Sequence, residues 1–385
     1  MSELLFKRKI GLLKLLEQNS VLLFGARGTG KSFWMAHELQ HKATFVDLLE
    51  SDLYLRLSTN PSELEGIIKA SKHKLIVIDE IQKIPPLLDE IHRLIEKKKY
   101  RFLLTGSSAR KLKRGHANLL AGRAWTAEMY PISWSEMESR SFNLERYLRY
   151  GGLPRVLLST NPEEELHAYV NTYIREEVQA EALVRKLASF NRFLKVAALV
   201  NGEMIQFTNV ANDAAVPLST VKEYFSILQD TLLGFLLEAW AESKKRKAIQ
   251  TAKFYFFDTG VANTLAGNKT LDRNSNLFGK CFEQFIAMEL KSYLSYRRSF
   301  EEMHYWRATS GQEVDFLIGN HTAVEVKSTA RTDKKDLKGL LALKEEKVFK
   351  NFFLVCNDHT ERVVEGIRII HWEKFLGKLW ADELF

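Results

Sequence analysis

Gly25-Ala26-Arg27-Gly28-Thr29-Gly30-Lys31-Ser32 follows the apolar run Val21–Phe24 and opens a helical pattern. The segment fits G-x-x-x-x-G-K-[ST], and its strand–loop–helix setting is what separates a working phosphate loop from a chance match. Glycines let successive backbone N–H groups curl toward phosphate oxygens, and the N-terminus of the following helix adds favourable partial charge. The loop residues Gly25, Ala26, Arg27, Gly28, Thr29 and Gly30 are therefore expected to cradle a nucleotide. Lys31 is expected to reach its β- and γ-phosphates, and Ser32 to ligate Mg²⁺.

A second element fits the first. Leu75–Ile78 is a buried-strand run ending in Asp79-Glu80, about 45 residues after the loop. Asp79 is placed to hold the metal through its hydration shell, and Glu80 to polarise an attacking water. A third apolar run, Phe102–Leu104, ends in Thr105-Gly106-Ser107-Ser108. Thr105 or Ser107 is a candidate water-orienting side chain, although Ser107 or Ser108 would serve equally as a helix cap.

These runs, with Ala43–Val46 and Trp125–Met129, alternate with amphipathic stretches, the pattern of a mostly parallel sheet flanked by helices. Length and pattern divide the 385 residues into a P-loop core (1–135), a helical lid (136–188), a winged-helix-like segment (189–260) and a C-terminal α/β domain (261–385). Helical spacing dominates the lid, broken by Gly151-Gly152-Leu153-Pro154. In the third segment Thr208–Ala215 supplies a first helix. Ser219 or Thr220 is the expected cap of a second, whose apolar face is Val221, Tyr224, Phe225 and Leu228. Leu232–Glu238 and Phe254–Phe257 are the expected wing strands. The outer face of that second helix offers Thr220, Lys222, Glu223 and Ser226, a weakly basic set for a recognition helix.

No apolar run approaches the roughly 18 residues of a membrane span, and no signal-peptide core is visible. Only Cys281 and Cys356 are present, without metal-ligand spacing, and they read as partly buried reduced thiols. A cytoplasmic protein without membrane contact is expected. The formal charge is +8, and nine Lys or Arg lie between Lys97 and Arg123 with no Asp or Glu among them. That stretch and Lys244–Lys247 are candidate contacts for a polyanion, or simply solvated faces.

Together the phosphate loop, Asp79-Glu80, the polar strand end and Ile81-Gln82-Lys83-Ile84-Pro85 resemble the AAA+ ATPases that carry a C-terminal DUF4143 domain. Leu120-Ala121-Gly122-Arg123 and Gly151-Gly152-Leu153-Pro154-Arg155 resemble the same group. The resemblance implies an arginine finger, for which Arg123 is the candidate and Arg110 the competitor. It also implies a nucleotide-facing lid motif at Pro154, with Arg155 as a sensor. A finger acting in trans implies a homo-oligomer, a hexamer or at least a dimer.

In the C-terminal part Glu283 lies on a helix pattern, Asp315 in a strand, and Glu325-Val326-Lys327 in another. Positions two apart in a strand face the same side, so Glu325 and Lys327 point together. Asp315 and Glu325 have the chemistry to share a divalent metal, with Lys327 stabilising the attacking hydroxide or the charged transition state. The order resembles the PD-(D/E)xK nuclease superfamily, a restriction-endonuclease-like fold, with Glu283 as the acid of its leading helix. Edge-strand Glu and Lys on a solvated face would produce the same pattern.

Two functions follow as expectations. One is an ATP-driven, Mg²⁺-dependent enzyme that remodels or processes nucleic acid, DNA in the first place and branched DNA included. The other is a nucleotide-controlled switch whose C-terminal domain is a non-catalytic interaction module.

Overall fold

The computed structural model describes residues 6–106, 120, 122–137, 142–174 and 187–385. Its N-terminal part is an α/β unit. Helix α1 (Leu12–Gln18) leads to β1 (Ser20–Phe24), α2 (Lys31–Leu39), β2 (Thr44–Asp47), α3 (Ser51–Thr59), α4 (Glu63–Lys69), β3 (Leu75–Asp79), α5 (Leu87–Lys98), β4 (Arg101–Gly106) and β5 (Ala124–Glu128). The five strands form one parallel sheet in the order β2-β3-β4-β1-β5. Val21, Leu23, Val77 and Leu103 face one side and Leu22, Phe24, Ile76, Ile78, Phe102 and Leu104 the other, each set buried in its own core. Burial on both faces explains why these strands read as unbroken apolar runs.

The next stretch is helical: α6 (Leu144–Tyr150), α7 (Pro154–Leu158), α8 (Pro162–Ala168) and a π-helical turn, Tyr169–Ile174. The break between α6 and α7 falls at Gly151, whose φ of 76° and ψ of −169° are open only to glycine. Then come α9 (Leu187–Leu199), α10 (Phe207–Ala214), α11 (Leu218–Asp230), β6 (Gly234–Ala239) and β7 (Lys253–Phe256). Helix α11 differs from the expected cap. It begins at Leu218 behind Pro217, with no side-chain cap, because the fixed φ of proline (−59°) starts the turn before Ser219 or Thr220.

Helices α12 (Thr259–Ala266) and α13 (Asn276–Tyr296) precede β8 (Met303–Arg307), β9 (Glu313–Ile318), β10 (Thr322–Lys327), α14 (Lys338–Lys344), β11 (Asn351–Cys356), β12 (Arg362–Val364), β13 (Ile367–His371) and α15 (Trp372–Trp380). Strands β6 and β7, expected as a separate wing, belong to one eight-stranded mixed sheet, β12-β13-β11-β10-β9-β8-β6-β7. They enter it because β6 pairs in parallel with β8 through Glu238 and Ala239. Helix α13 touches β5 of the first sheet and β10 of the second, so one continuous core runs from Ile10 to Leu384. Both cysteines are buried free thiols, and burial pushes each up to about 11. Among the described residues no helix is long and apolar enough to cross a membrane.

The junction between the two sheets is polar as well as apolar. Arg8, buried beneath α13, donates to the Tyr296 hydroxyl at 2.8 Å and pairs with Glu136 at 3.3 Å. Glu289 of α13 accepts from the Trp134 N–H at 2.6 Å and from Trp380 Nε1 at 2.8 Å, and its burial pushes it up to about 8.

Candidate functional site

The phosphate loop lies at the C-terminal end of β1, where a parallel sheet presents its strand ends to a ligand. Gly28 (φ 81°) and Gly30 (φ 95°) take left-handed backbone conformations. Gly25 is boxed in from behind: a Cβ there would meet the Met129 carbonyl oxygen at 2.5 Å. Lys31 is buried and its ammonium donates to the carbonyls of Gly25 (2.6 Å) and Ala26 (3.1 Å), with the Thr29 hydroxyl on the Ala26 carbonyl at 2.9 Å.

Strand order brings the rest of the site together. Strand β4 lies between β1 and β3, with Leu23 opposite Thr105 and Ile78 opposite Leu104, so Asp79 ends beside Thr105. Asp79 receives the Ser32 hydroxyl on Oδ2 at 2.9 Å and the Thr105 hydroxyl on Oδ1. Thr105 is buried, and its hydroxyl is directed at Asp79. Ser107 and Arg110 lie outside the described residues, as do Ala121 and Lys111–Arg114. Glu80 takes a left-handed conformation (φ 59°), its N–H donates to Asp79 Oδ1 at 3.1 Å, and its carboxylate accepts from Gln82. A hydroxyl and a carboxylate already in contact are the hard-oxygen set that suits magnesium, so Ser32 and Asp79 fit the ion.

The helical segment closes over the loop. The Pro154 ring lies 3.6 Å from where a Gly30 Cβ would stand, and the Tyr169 ring 3.3 Å from that of Gly28. The Tyr169 hydroxyl donates to the Arg27 carbonyl at 2.8 Å, and the Arg27 guanidinium stacks on Tyr173 at 4.6 Å. Sequence reading missed both tyrosines, which sit among ordinary helical spacing. Arg155 turns outward and pairs with Glu165 at 2.7 Å. Arg123, before β5, pairs with Glu96 of α5 at 2.5 Å on the surface.

In the C-terminal part Glu283, Asp315, Glu325 and Lys327 do come together. Asp315 and Glu325 are buried on adjacent antiparallel strands, Asp315 Oδ2 accepts from the Val326 N–H at 2.8 Å, and Lys327 donates to Glu325. Three further residues join them that the sequence did not reveal, Lys253, Glu313 and Tyr255. The buried Lys253 of β7 places its ammonium 2.7 Å from Glu313, 3.2 Å from Glu283 and 3.9 Å from Asp315. The Tyr255 hydroxyl donates to Glu283 at 2.5 Å. Burial, then repulsion from Glu283, pushes Asp315 up to about 7, while burial and Asp315 raise Glu325. Burial works against the charge on Lys253, but Glu283, Tyr255 and Asp315 outweigh it and hold it above the ordinary lysine range. The Lys253 ammonium thus stands among Glu283, Glu313 and Asp315.

The basic run Lys244–Lys247 is partly tied down. The Lys244 and Lys245 N–H groups and the Ser243 hydroxyl surround the Glu346 carboxylate, and Arg246 pairs with Glu345 at 2.9 Å.

Comparison with known proteins agrees with the N-terminal site. Residues 17–138 match the model of an AAA domain, AAA_14. Residues 141–272 match DUF8612 and residues 278–375 match DUF4143, both domains of unknown function. The N-terminal part thus carries a phosphate loop in a stretch similar to an AAA domain, and the C-terminal part is similar to DUF4143. An uncharacterized protein of Mycobacterium tuberculosis is 26% identical over 267 residues, 66% of this chain and 59% of that protein. The chain therefore spans about three-fifths of that relative's length. An uncharacterized protein of Haemophilus influenzae is 23% identical over 384 residues, 91% of this chain and 92% of its own. Among solved structures, the replication initiator DnaA bound to AMPPCP and single-stranded DNA overlaps 58% of this chain and 90% of its own, at 12% identity and a TM-score of 0.32. Drosophila ORC bound to GC-rich DNA and Cdc6 overlaps 67% of this chain and 89% of its own, at 12% identity and a TM-score of 0.23.

Proposed function

We propose that this chain hydrolyses ATP at the Lys31 loop and uses the cycle to remodel nucleic acid engaged by its C-terminal domain. The observation that carries the ATPase half is the meeting of Ser32, in the first turn of α2, with Asp79 and Thr105 at the ends of the adjacent strands β3 and β4. In this reading Lys31 exchanges its two carbonyl partners for β- and γ-phosphate oxygens. Magnesium, held by Ser32 and Asp79, neutralises charge across those phosphates when bound. Thr105 fixes the Asp79 carboxylate, and Glu80 orients the attacking water and accepts its proton. Pro154 and Tyr169 cover the loop, and Arg155, once released from Glu165, is the sensor.

Glu80→Gln keeps the side-chain shape but cannot take a proton, so it is expected to bind ATP normally and to turn over about 100-fold more slowly or worse. Nucleotide binding and single-turnover hydrolysis, measured on the same preparation, check this. Wild-type turnover in that variant would remove Glu80 from the role.

Arg123 is proposed as the finger that enters a neighbouring subunit of a homo-oligomer. Its partner here is an exposed glutamate, and an exposed ion pair is weak enough to exchange for a phosphate. Arg123→Ala is expected to leave ATP affinity almost intact and to lower hydrolysis by about 10³-fold. Recovery on mixing Arg123→Ala with Glu80→Gln subunits is the signature of action in trans. Unchanged turnover would move the role to Arg110.

For the C-terminal half, the order α13-β8-β9-β10-α14-β11, with Asp315, Glu325 and Lys327 clustered under Glu283, supports a nuclease-like fold. Filling of the cluster by Lys253 favours the second reading for this domain, a module that binds without cutting. The test is the ATPase rate with and without duplex, single-stranded and branched DNA, scored beside cleavage in Mg²⁺ and Mn²⁺. Hydrolysis that no nucleic acid stimulates, with binding insensitive to salt, would redirect the search to a protein partner.

A further inference from the structure

We infer that the Lys253 ammonium is the resident cation of the C-terminal acid cluster, standing where a divalent metal would otherwise bridge Glu283 and Asp315, so that this domain holds its ligand without metal-dependent cleavage. The inference rests on the nuclease-like reading of the eight-stranded sheet and restricts its chemistry.

Geometry makes the case. Lys253 heads β7 at the edge of the sheet, and its side chain runs inward over the Tyr305 ring, 5.2 Å from the centroid. Its ammonium then meets carboxylates from the helix, Glu283, and from the strand, Glu313 and Asp315. A lysine carries three donor hydrogens, and contacts at 2.7 and 3.2 Å use two of them on carboxylates. Charge balance agrees. The four carboxylates Glu283, Glu313, Asp315 and Glu325 face three cations, Lys253, Lys327 and Arg307. A dication added to that set would leave an excess of positive charge beside the buried Lys253 ammonium. Moreover, the ammonium and the metal would compete for the same oxygens.

The oxygens themselves are suited to a metal once the lysine is gone. Glu325 Oε2 is buried and has no hydrogen-bond partner among the described residues, which leaves one acceptor of the cluster open. Lys253→Met removes the ammonium while keeping an unbranched apolar stem of similar length against Tyr305. It is therefore expected to convert the cluster into a divalent-ion site.

The experiment is Mn²⁺ binding to the full, nucleotide-free chain, followed by the electron paramagnetic resonance of free Mn²⁺. Wild type, Asp315→Asn, Lys253→Met and Lys253→Met/Asp315→Asn are compared, with a thermal melt as the folding control. Wild type and Asp315→Asn are expected to bind Mn²⁺ identically and to leave DNA uncut. Lys253→Met is expected to gain about one bound ion per chain, and the double variant to lose it again. A wild-type Mn²⁺ site that Asp315→Asn abolishes would overturn the inference and leave the nuclease-like reading standing. No gain in a folded Lys253→Met would remove the nuclease-like reading of the cluster and the inference with it. Should Lys253→Met not fold, Lys253→Gln takes its place, and the comparison of wild type with Asp315→Asn still decides whether a metal resides there.

Discussion

Lys31→Ala is expected to abolish ATP turnover and to weaken nucleotide binding by roughly 30- to 150-fold, the equivalent of about 2–3 kcal/mol for one charge-assisted contact. Lys31 is the loop's own point charge, and its helix directs it back across the loop, where it now holds the Gly25 and Ala26 carbonyls. Those carbonyls mark where phosphate oxygens compete for the ammonium. Alanine removes both the ligand contact and the two internal hydrogen bonds, so a modest fall in Tm without nucleotide accompanies the loss of binding. Lys31→Arg is not expected to rescue it, because a planar guanidinium on a longer arm does not fit a site shaped for a compact ammonium. Calorimetric titration with ATP and a steady-state ATPase assay read the two effects separately. Wild-type hydrolysis by Lys31→Ala would displace the nucleotide from this loop altogether.

The loop was legible because its chemistry is contiguous. Eight neighbouring residues after a buried strand specify strand, turn and helix, and Asp79 needed only the strand end of Leu75–Ile78 to be placed. Thr105 was legible as a candidate, but its role needed the strand order: only β4 between β1 and β3 aims its hydroxyl at Asp79. The C-terminal cluster was half legible. Glu325 and Lys327 share a strand face by simple alternation, whereas Lys253 arrives through the parallel pairing of β6 with β8. That pairing was hidden because β8 carries a register shift between His304 and Trp306, which breaks the two-residue alternation that marks a strand. Lys253 also lay just outside the apolar run 254–257, and a lone lysine at a strand end ordinarily reads as solvated. Asp258 was hidden for a related reason. It is one acid among Phe257, Thr259 and Gly260, and its partner, the Gly152 N–H, lies more than a hundred residues away.

That last contact leads to the second large expected effect, at Gly151. Asp258 caps α12 by accepting from the Val261 N–H at 3.0 Å, while its other oxygen accepts from the Gly152 N–H at 2.7 Å. It thereby ties the segment carrying Pro154, which covers Gly30, to the chain just after β7, which carries Lys253. Gly151 sits against this carboxylate, and a Cβ there would lie 2.0 Å from Asp258 Oδ1 and 2.4 Å from Cγ. Its backbone angles are also closed to other residues. Neither relief is available, since the carboxylate is held on both oxygens and the backbone is held by the Gly151 N–H on the Tyr147 carbonyl at 2.7 Å. Gly151→Ala is therefore expected to cost about 3 kcal/mol or more, from backbone strain of about 1–3 kcal/mol and the displacement of Asp258 together. Asp258→Ala makes room but leaves the Gly152 and Val261 donors without their acceptor, so it too is destabilising, by about 1–3 kcal/mol for each donor left buried. Because both defects strike one junction, the double variant Gly151→Ala/Asp258→Ala should lose less than the sum of the two singles. Urea unfolding midpoints of the three variants measure that coupling, and ATPase rates on the same samples show whether the lid over Gly30 loosens with it. A Gly151→Ala protein as stable as wild type, or strictly additive losses, would mean that Asp258 does not hold the lid segment in place.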